Sequence, residues 1–347
     1  MKNSRIFFGF LVFFALALVL YLFKPFLLNM LIAALLAVAT SNINVKILAL
    51  TKNRHTLSAA LSAIVLFLLF IAPLGYAIFS IASHATGLNM EKATQTIEFI
   101  KNYHLNLPAS LEFLEPKIDE FRTSIDVKSL FSQAAANLAN LGKLSLKFLT
   151  DIVIILIFFF FYNLYGAELV HYLKKALPMK EDDTGFILSE VANVMSVVFY
   201  STIANMILQG ALFAIITMFY GYDGFFTGII FGFCSLIPVV GGLLAWGPIS
   251  LYEFAAGNAT GAIIIGVYTV VVISFLADNF AKPLVIKFIN DRLVKFPTII
   301  NELLIFFAMI AGIATFGFWG IILGPAIVTF FMSVIKLYVL LRERAVV

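Results

Sequence analysis

Eight apolar runs, at 6–23, 25–45, 57–82, 148–165, 197–220, 224–256, 259–281 and 298–338, take up most of this chain. A helix needs about 20 apolar residues to cross the ~30 Å hydrocarbon core of a bilayer. A soluble core could not bury this many such runs. Composition agrees: 62% of the 347 residues are hydrophobic and 12% are charged, against about 45–50% and about 25% in ordinary soluble domains. The sequence therefore predicts an all-α, polytopic transmembrane protein whose main solvent is lipid. Lys2 and Arg5 precede the first run as in a signal peptide. That run is longer than a signal core and no small-residue cleavage site follows it, so it reads as an uncleaved first span.

Between 82 and 147 the character changes. Seven Lys/Arg and seven Asp/Glu fall there. Leu111, Leu114, Ile118, Phe121 and Ile125 repeat at helical spacing, with Pro116 as a break. Asp126 is a candidate N-cap for a second helix through Leu130, Ala134, Leu138 and Leu141 that runs on toward the span at 148. The expected organisation is N-terminal membrane helices at 1–81, a helical insert at 82–147, and a transmembrane core at 148–347 with a cytoplasmic amphipathic segment at 166–196. In that segment Pro178 ends one helix. Glu181, Asp182 and Asp183 suit the start of the next, expected to lie at the interface before turning into the span at 197–220.

Charge sets the orientation. With the N-terminus inside, the short loops on that side hold 15 of the 23 Lys/Arg, and the short outer loops hold only Lys24. Positive charge in short loops marks the cytoplasmic side. Both termini are thus expected in the cytoplasm of an inner-membrane protein, with 82–147 extracytoplasmic. The basic residues form no stripe for nucleic acid.

The last 150 residues carry an echo: Gly228-Ile-Ile-Phe-Gly232 and Gly320-Ile-Ile-Leu-Gly324. Each lies in an apolar run interrupted by glycine and proline, with Pro238, Gly241 and Gly242 in the first and Gly312, Gly317 and Pro325 in the second. Under the charge topology, a helix plus broken hairpin is followed by an inverted helix plus broken hairpin. Inverted repeats with discontinuous helices are the pattern of secondary transporters, with solute sites at mid-membrane where the repeats meet. Free backbone groups at such breaks are tolerated only where they line a cavity or meet protein. Glycines spaced by four also serve plain helix packing.

Leu236-Ile-Pro-Val-Val-Gly241, Asp278-Asn279 with Pro283, Lys295-Phe-Pro297, and Phe316-Gly-Phe-Trp-Gly320 through Gly324-Pro325 together resemble the autoinducer-2 exporter family of PerM-like permeases. The resemblance covers nearly the whole chain, with its specific motifs in 224–330. It implies export of a small polar signal molecule, or sodium (lithium)/proton antiport, by a homo-oligomer such as a pentamer. Glu302 departs from it, since an apolar residue is expected there.

Ionisable groups within membrane spans are site candidates by default. Asp278 ends the span at 259–281, where the dipole disfavours an acid. A pair with Lys282 is the plain alternative. Glu302 follows Pro297 and suits a helix start. Asn205 and Gln209 share one face of an apolar span. Asp223 and Glu253 read as interfacial. The expected transport path therefore comprises Asp278, Asn279, Glu302, Asn205 and Gln209. It needs no cofactor or metal and is driven by Na+ or H+. The partners are a small polar solute and the bilayer. Hydrolase and nucleotide-binding motifs are missing, and Cys234 reads as a packing residue. A non-transporting scaffold or receptor is the remaining alternative.

Overall fold

A computed structural model describes residues 2–85, 127–176, 181–238, 240–281, 283–284, 287 and 302–346. The described residues are helical throughout apart from turns, and contain no strand. In order, the helices are α1 (Lys2–Leu22), α2 (Leu27–Ala39), α3 (Ser41–Leu50), α4 (His55–Leu66), α5 (Ala72–Ala85), α6 (Val127–Ala176), α7 (Glu181–Met218), α8 (Gly224–Cys234), α9 (Gly241–Ala255), α10 (Ala259–Tyr268), α11 (Glu302–Phe316) and α12 (Gly320–Val346). A π-turn at Phe67–Ile71 joins α4 to α5, and α10 continues as a π-helix over Thr269–Ala281.

Among the described residues, four stretches are long and apolar enough to cross a membrane: His55–Ala77, Lys147–Ala176, Asp182–Met218 and Leu303–Val339. The pair Phe7–Leu22 and Lys24–Ala39 makes a fifth if taken as one span bent by 63°. The two apolar runs flanking Lys24 meet at that bend. Large side chains such as Phe8, Phe13, Phe161, Phe219, Phe275 and Phe331 stand exposed, as expected where lipid is the solvent.

Length alone makes Leu303–Val339 one 37-residue helix, but packing says otherwise. Eight residues along a straight helix cover about 12 Å, yet a Cβ on either Gly312 or Gly320 would overlap the other's backbone. The chain reverses between them. Gly317 makes the reversal at φ +61°, a left-handed conformation that favours glycine.

The chain forms two compact units. The first comprises 1–69, 150–200 and 288–347. Its buried residues include Ile32 and Leu36 of α2, Ile155 and Phe159 of α6, Val194–Tyr200 of α7 and Leu323 of α12. Ser196 donates to the Ala39 carbonyl at 2.8 Å, and Lys336 pairs with Glu190 at 2.6 Å. The second unit comprises 70–149 and 201–287. Its core is Phe213, Ile216, Phe231, Ala245, Ile265 and Ile273, with the rings of Phe213 and Phe231 stacked at 4.4 Å.

Several expectations change. The helix predicted to start near 127 does run unbroken into the span, as the 50-residue α6. The interfacial helix at 181 does not turn before the span, because α7 is continuous over 38 residues. Eight consecutive residues, Asn193–Tyr200, are buried all round, so this part packs inside protein and has no free face to lie on an interface. Residues 86–126, including the stripe from Leu111 to Ile125, lie outside the described residues.

Candidate functional site

The α8–α9 hairpin begins at Asp223, whose carboxylate caps α8 by accepting from the Phe226 N–H at 3.1 Å. α8 runs for 11 residues and α9 for 15. At 1.5 Å per residue these are ~16 Å and ~22 Å, too short to cross ~30 Å of hydrocarbon. The break between them, Ser235–Val240, holds Pro238, as predicted from sequence. Gly241 starts α9 under strict constraint: a Cβ there would overlap the Cys234 carbonyl. Gly242 follows it, against the Phe231 ring. The break satisfies much of its own backbone. The N–H groups of Ser235, Leu236 and Ile237 donate to Phe231, Phe233 and Cys234, and the Ser235 hydroxyl donates to Gly232 at 2.7 Å.

The glycine echo acquires a structural meaning. Gly210 of α7 and Gly228 of α8 meet backbone to backbone, and Gly232 abuts the Met206 carbonyl. Gly312 of α11 and Gly320 of α12 meet in the same way, and Gly324 abuts the Ala308 carbonyl. The echo thus lies on the second helix of two glycine-sealed hairpins. Gly312, Gly317, Gly320, Gly324 and Pro325 were predicted as helix breaks, and of these only Gly317 lies between α11 and α12. Gly312 lies inside α11, while Gly320, Gly324 and the buried Pro325 lie within α12. Small residues spaced by four let two backbones touch, and that requirement placed them there.

The polar candidates separate. Gln209 is buried on α7. One turn earlier Asn205 Oδ1 is buried without a hydrogen-bond partner. A buried acceptor left unpaired costs about 1–3 kcal/mol, and the exceptions in native proteins call for an explanation such as an unseen water, ion or ligand. Asn279 is exposed and turns its amide back onto the Phe275 carbonyl at 2.7 Å. The backbone of Asp278 lies in the π-helix and Glu302 is the first residue of α11, but their side chains, like Lys282, lie outside the described residues. Pro283 is exposed, in residues that are again helical.

The π-helix has a cause in the sequence. Ile265, Thr269, Ile273 and Ala277, spaced by four, are 0, 0, 0 and 4% exposed. In an α-helix a spacing of four drifts by about 40° per step, carrying the stripe off the core. The wider π winding keeps it facing inward. Such helices are rare and mostly single-turn, and favour functional sites. This one covers 13 residues and carries Asp278 and Asn279.

Two acids have partners that the sequence reading did not name. Asp151, within the apolar part of α6, accepts from Asn29 Nδ2 at 3.1 Å, and Asn29 is buried. An acid inside a span was visible in the sequence. Glu253, read as interfacial, is buried within the protein. Its carboxylate accepts from the Tyr222 hydroxyl and from Asn258 Nδ2, each at 2.6 Å. Burial first, and then the bond to Glu253, push the Tyr222 hydroxyl above the usual tyrosine range. Asp223, the exposed neighbour, also accepts from Tyr76 at 3.1 Å.

Sealed hairpins, short broken helices and buried polar groups on apolar spans are features that membrane transporters share. Residues 8–340 match the model of the AI-2E family transporters, and the chain belongs to that family. It is 34% identical over 319 residues to a protein of Helicobacter pylori strain 26695 named for transport, covering 92% of this chain and 91% of that one. A protein of the same name from strain J99 is 35% identical over the same length. One from Aquifex aeolicus strain VF5 is 27% identical over 187 residues, 52% of this chain and 48% of its own.

Proposed function

We propose that this protein is a gradient-driven secondary transporter that exports a small polar solute, of the autoinducer-2 kind, across the cytoplasmic membrane. The observation that carries the reading is the α8–α9 hairpin. Two helices too short to span meet at a Pro/Gly break within the apolar half of a transporter-family chain. Broken helices of this kind are where transporters place solute and ion sites. Asn205, with its open acceptor, and Gln209 supply hydrogen-bonding groups suited to a polar solute. Asp278, at the end of the π-helix, is the proposed coupling acid, with Asn279 beside it and Glu302 at the head of α11. Na+ or H+ is the coupling ion in this reading. It includes cytoplasmic termini, an extracytoplasmic 82–147 and a homo-oligomer, which the charge asymmetry and the family resemblance support.

Asp278→Asn keeps the shape and removes the charge. In proteoliposomes at matched protein levels this variant is expected to insert and assemble but to lose most ion-dependent flux. Asp223→Asn is expected to keep it, because asparagine caps a helix about as well as aspartate. If Asp278 only paired with Lys282, the change would cost little, since exposed pairs contribute about 0–1 kcal/mol. Wild-type flux from Asp278→Asn would remove that residue from the mechanism.

A further inference from the structure

Glu253 lies within the last turn of α9, where the helix dipole disfavours negative charge, and is only 8% exposed. A buried carboxylate ordinarily has a cationic partner. This one has two neutral donors: Tyr222 on Oε1 and Asn258 on Oε2. The titratable groups on the elements around it are Tyr220, Tyr222 and Asp223 at the α7–α8 turn, Tyr252 of α9 and Tyr268 of α10. Tyr76 of α5 is bonded to Asp223. None of these is cationic, and among the described residues no lysine, arginine or histidine pairs with Glu253.

We propose that Glu253 is a reversible proton-binding site. The hydrogen-bond pattern distinguishes a proton from a metal cation. Asn258 Oδ1 is committed to the Gly261 N–H at 3.0 Å, so its Nδ2 must face Glu253, and a cation at Oε2 would meet N–H hydrogens. A proton needs no rearrangement of the chain. A tyrosine hydroxyl both donates and accepts. When Oε1 takes a proton from hydronium, releasing water, it donates to Tyr222 Oη, and the tyrosine hydrogen swings away. Asn258 continues to donate to Oε2. Tyr222 keeps its own proton throughout. Both states of Glu253 are thus held by the same two side chains, Tyr222 and Asn258. What the proton drives rests on the transporter reading; the binding itself does not.

Infrared difference spectra of the full-length protein in lipid, recorded as pH is lowered, test this through the carbonyl band of a protonated carboxyl group. Glu253→Gln is expected to remove one titrating band that remains in Asp183→Asn, the variant of the other acid that is buried among the described residues. Tyr222→Phe is expected to keep that band and move its midpoint to higher pH, because the charged form loses a hydrogen bond. The same titrating bands in wild type and Glu253→Gln, or an unmoved midpoint in Tyr222→Phe, would overturn the proposal. The measurement uses no solute, so its failure is distinct from a failure to find transport.

Discussion

Asn205 shows what one residue can decide. It shares a helical face with Gln209, which the sequence made plain. The structure adds that its Oδ1 is buried and open. A buried acceptor left unpaired calls for an explanation such as a bound water or ligand. Asn205→Leu removes the unpaired group and fills similar volume. It is expected to raise thermal stability in detergent, by about 1 kcal/mol or more, while lowering solute flux severalfold. Loss of both stability and flux would mark Asn205 as structural. The roles of Glu253 and Asp151 were harder to read. Their identities are plain in the sequence, but burial depends on turns and partners far along the chain, such as Tyr222 and Asn29.

Helices and their breaks were more legible than contacts between them. Pro238 and Gly241 mark the first break because proline cannot donate and glycine alone fits against the Cys234 carbonyl. Gly317 marks the second through its positive φ. Gly312, Gly320 and Gly324 looked like more of the same, since a one-dimensional pattern does not separate a glycine that bends a chain from one that lets two helices touch. The stripe of buried residues spaced by four in 265–277 also passed as an ordinary helix. The sealed hairpins make a sharp comparison. Gly320→Ala places a methyl on the Gly312 backbone, and overpacking of this kind costs about 1–3 kcal/mol. Gly75→Ala, in α5 with nothing within 4 Å of the added atom, is expected to stabilise by up to about 1 kcal/mol. Thermal unfolding of both variants in the same detergent checks the pair. Equal melting temperatures would mean that α11 and α12 are not in backbone contact.

At the scale of the whole chain, the apolar runs fixed the class of protein, and the motifs in 224–330 pointed to the family that residues 8–340 match. The inverted relation between repeats stays a proposal, because it depends on orientation across the membrane, which local packing does not report. Transport is the claim on which the account turns. It is tested most directly by flux into or out of proteoliposomes containing the purified wild-type protein, with a panel of small polar solutes and imposed Na+ or pH gradients. The account predicts solute movement that requires the protein, stops when an ionophore dissipates the gradient, and needs no nucleotide. Flux equal to that of protein-free liposomes for every solute and either gradient would contradict it.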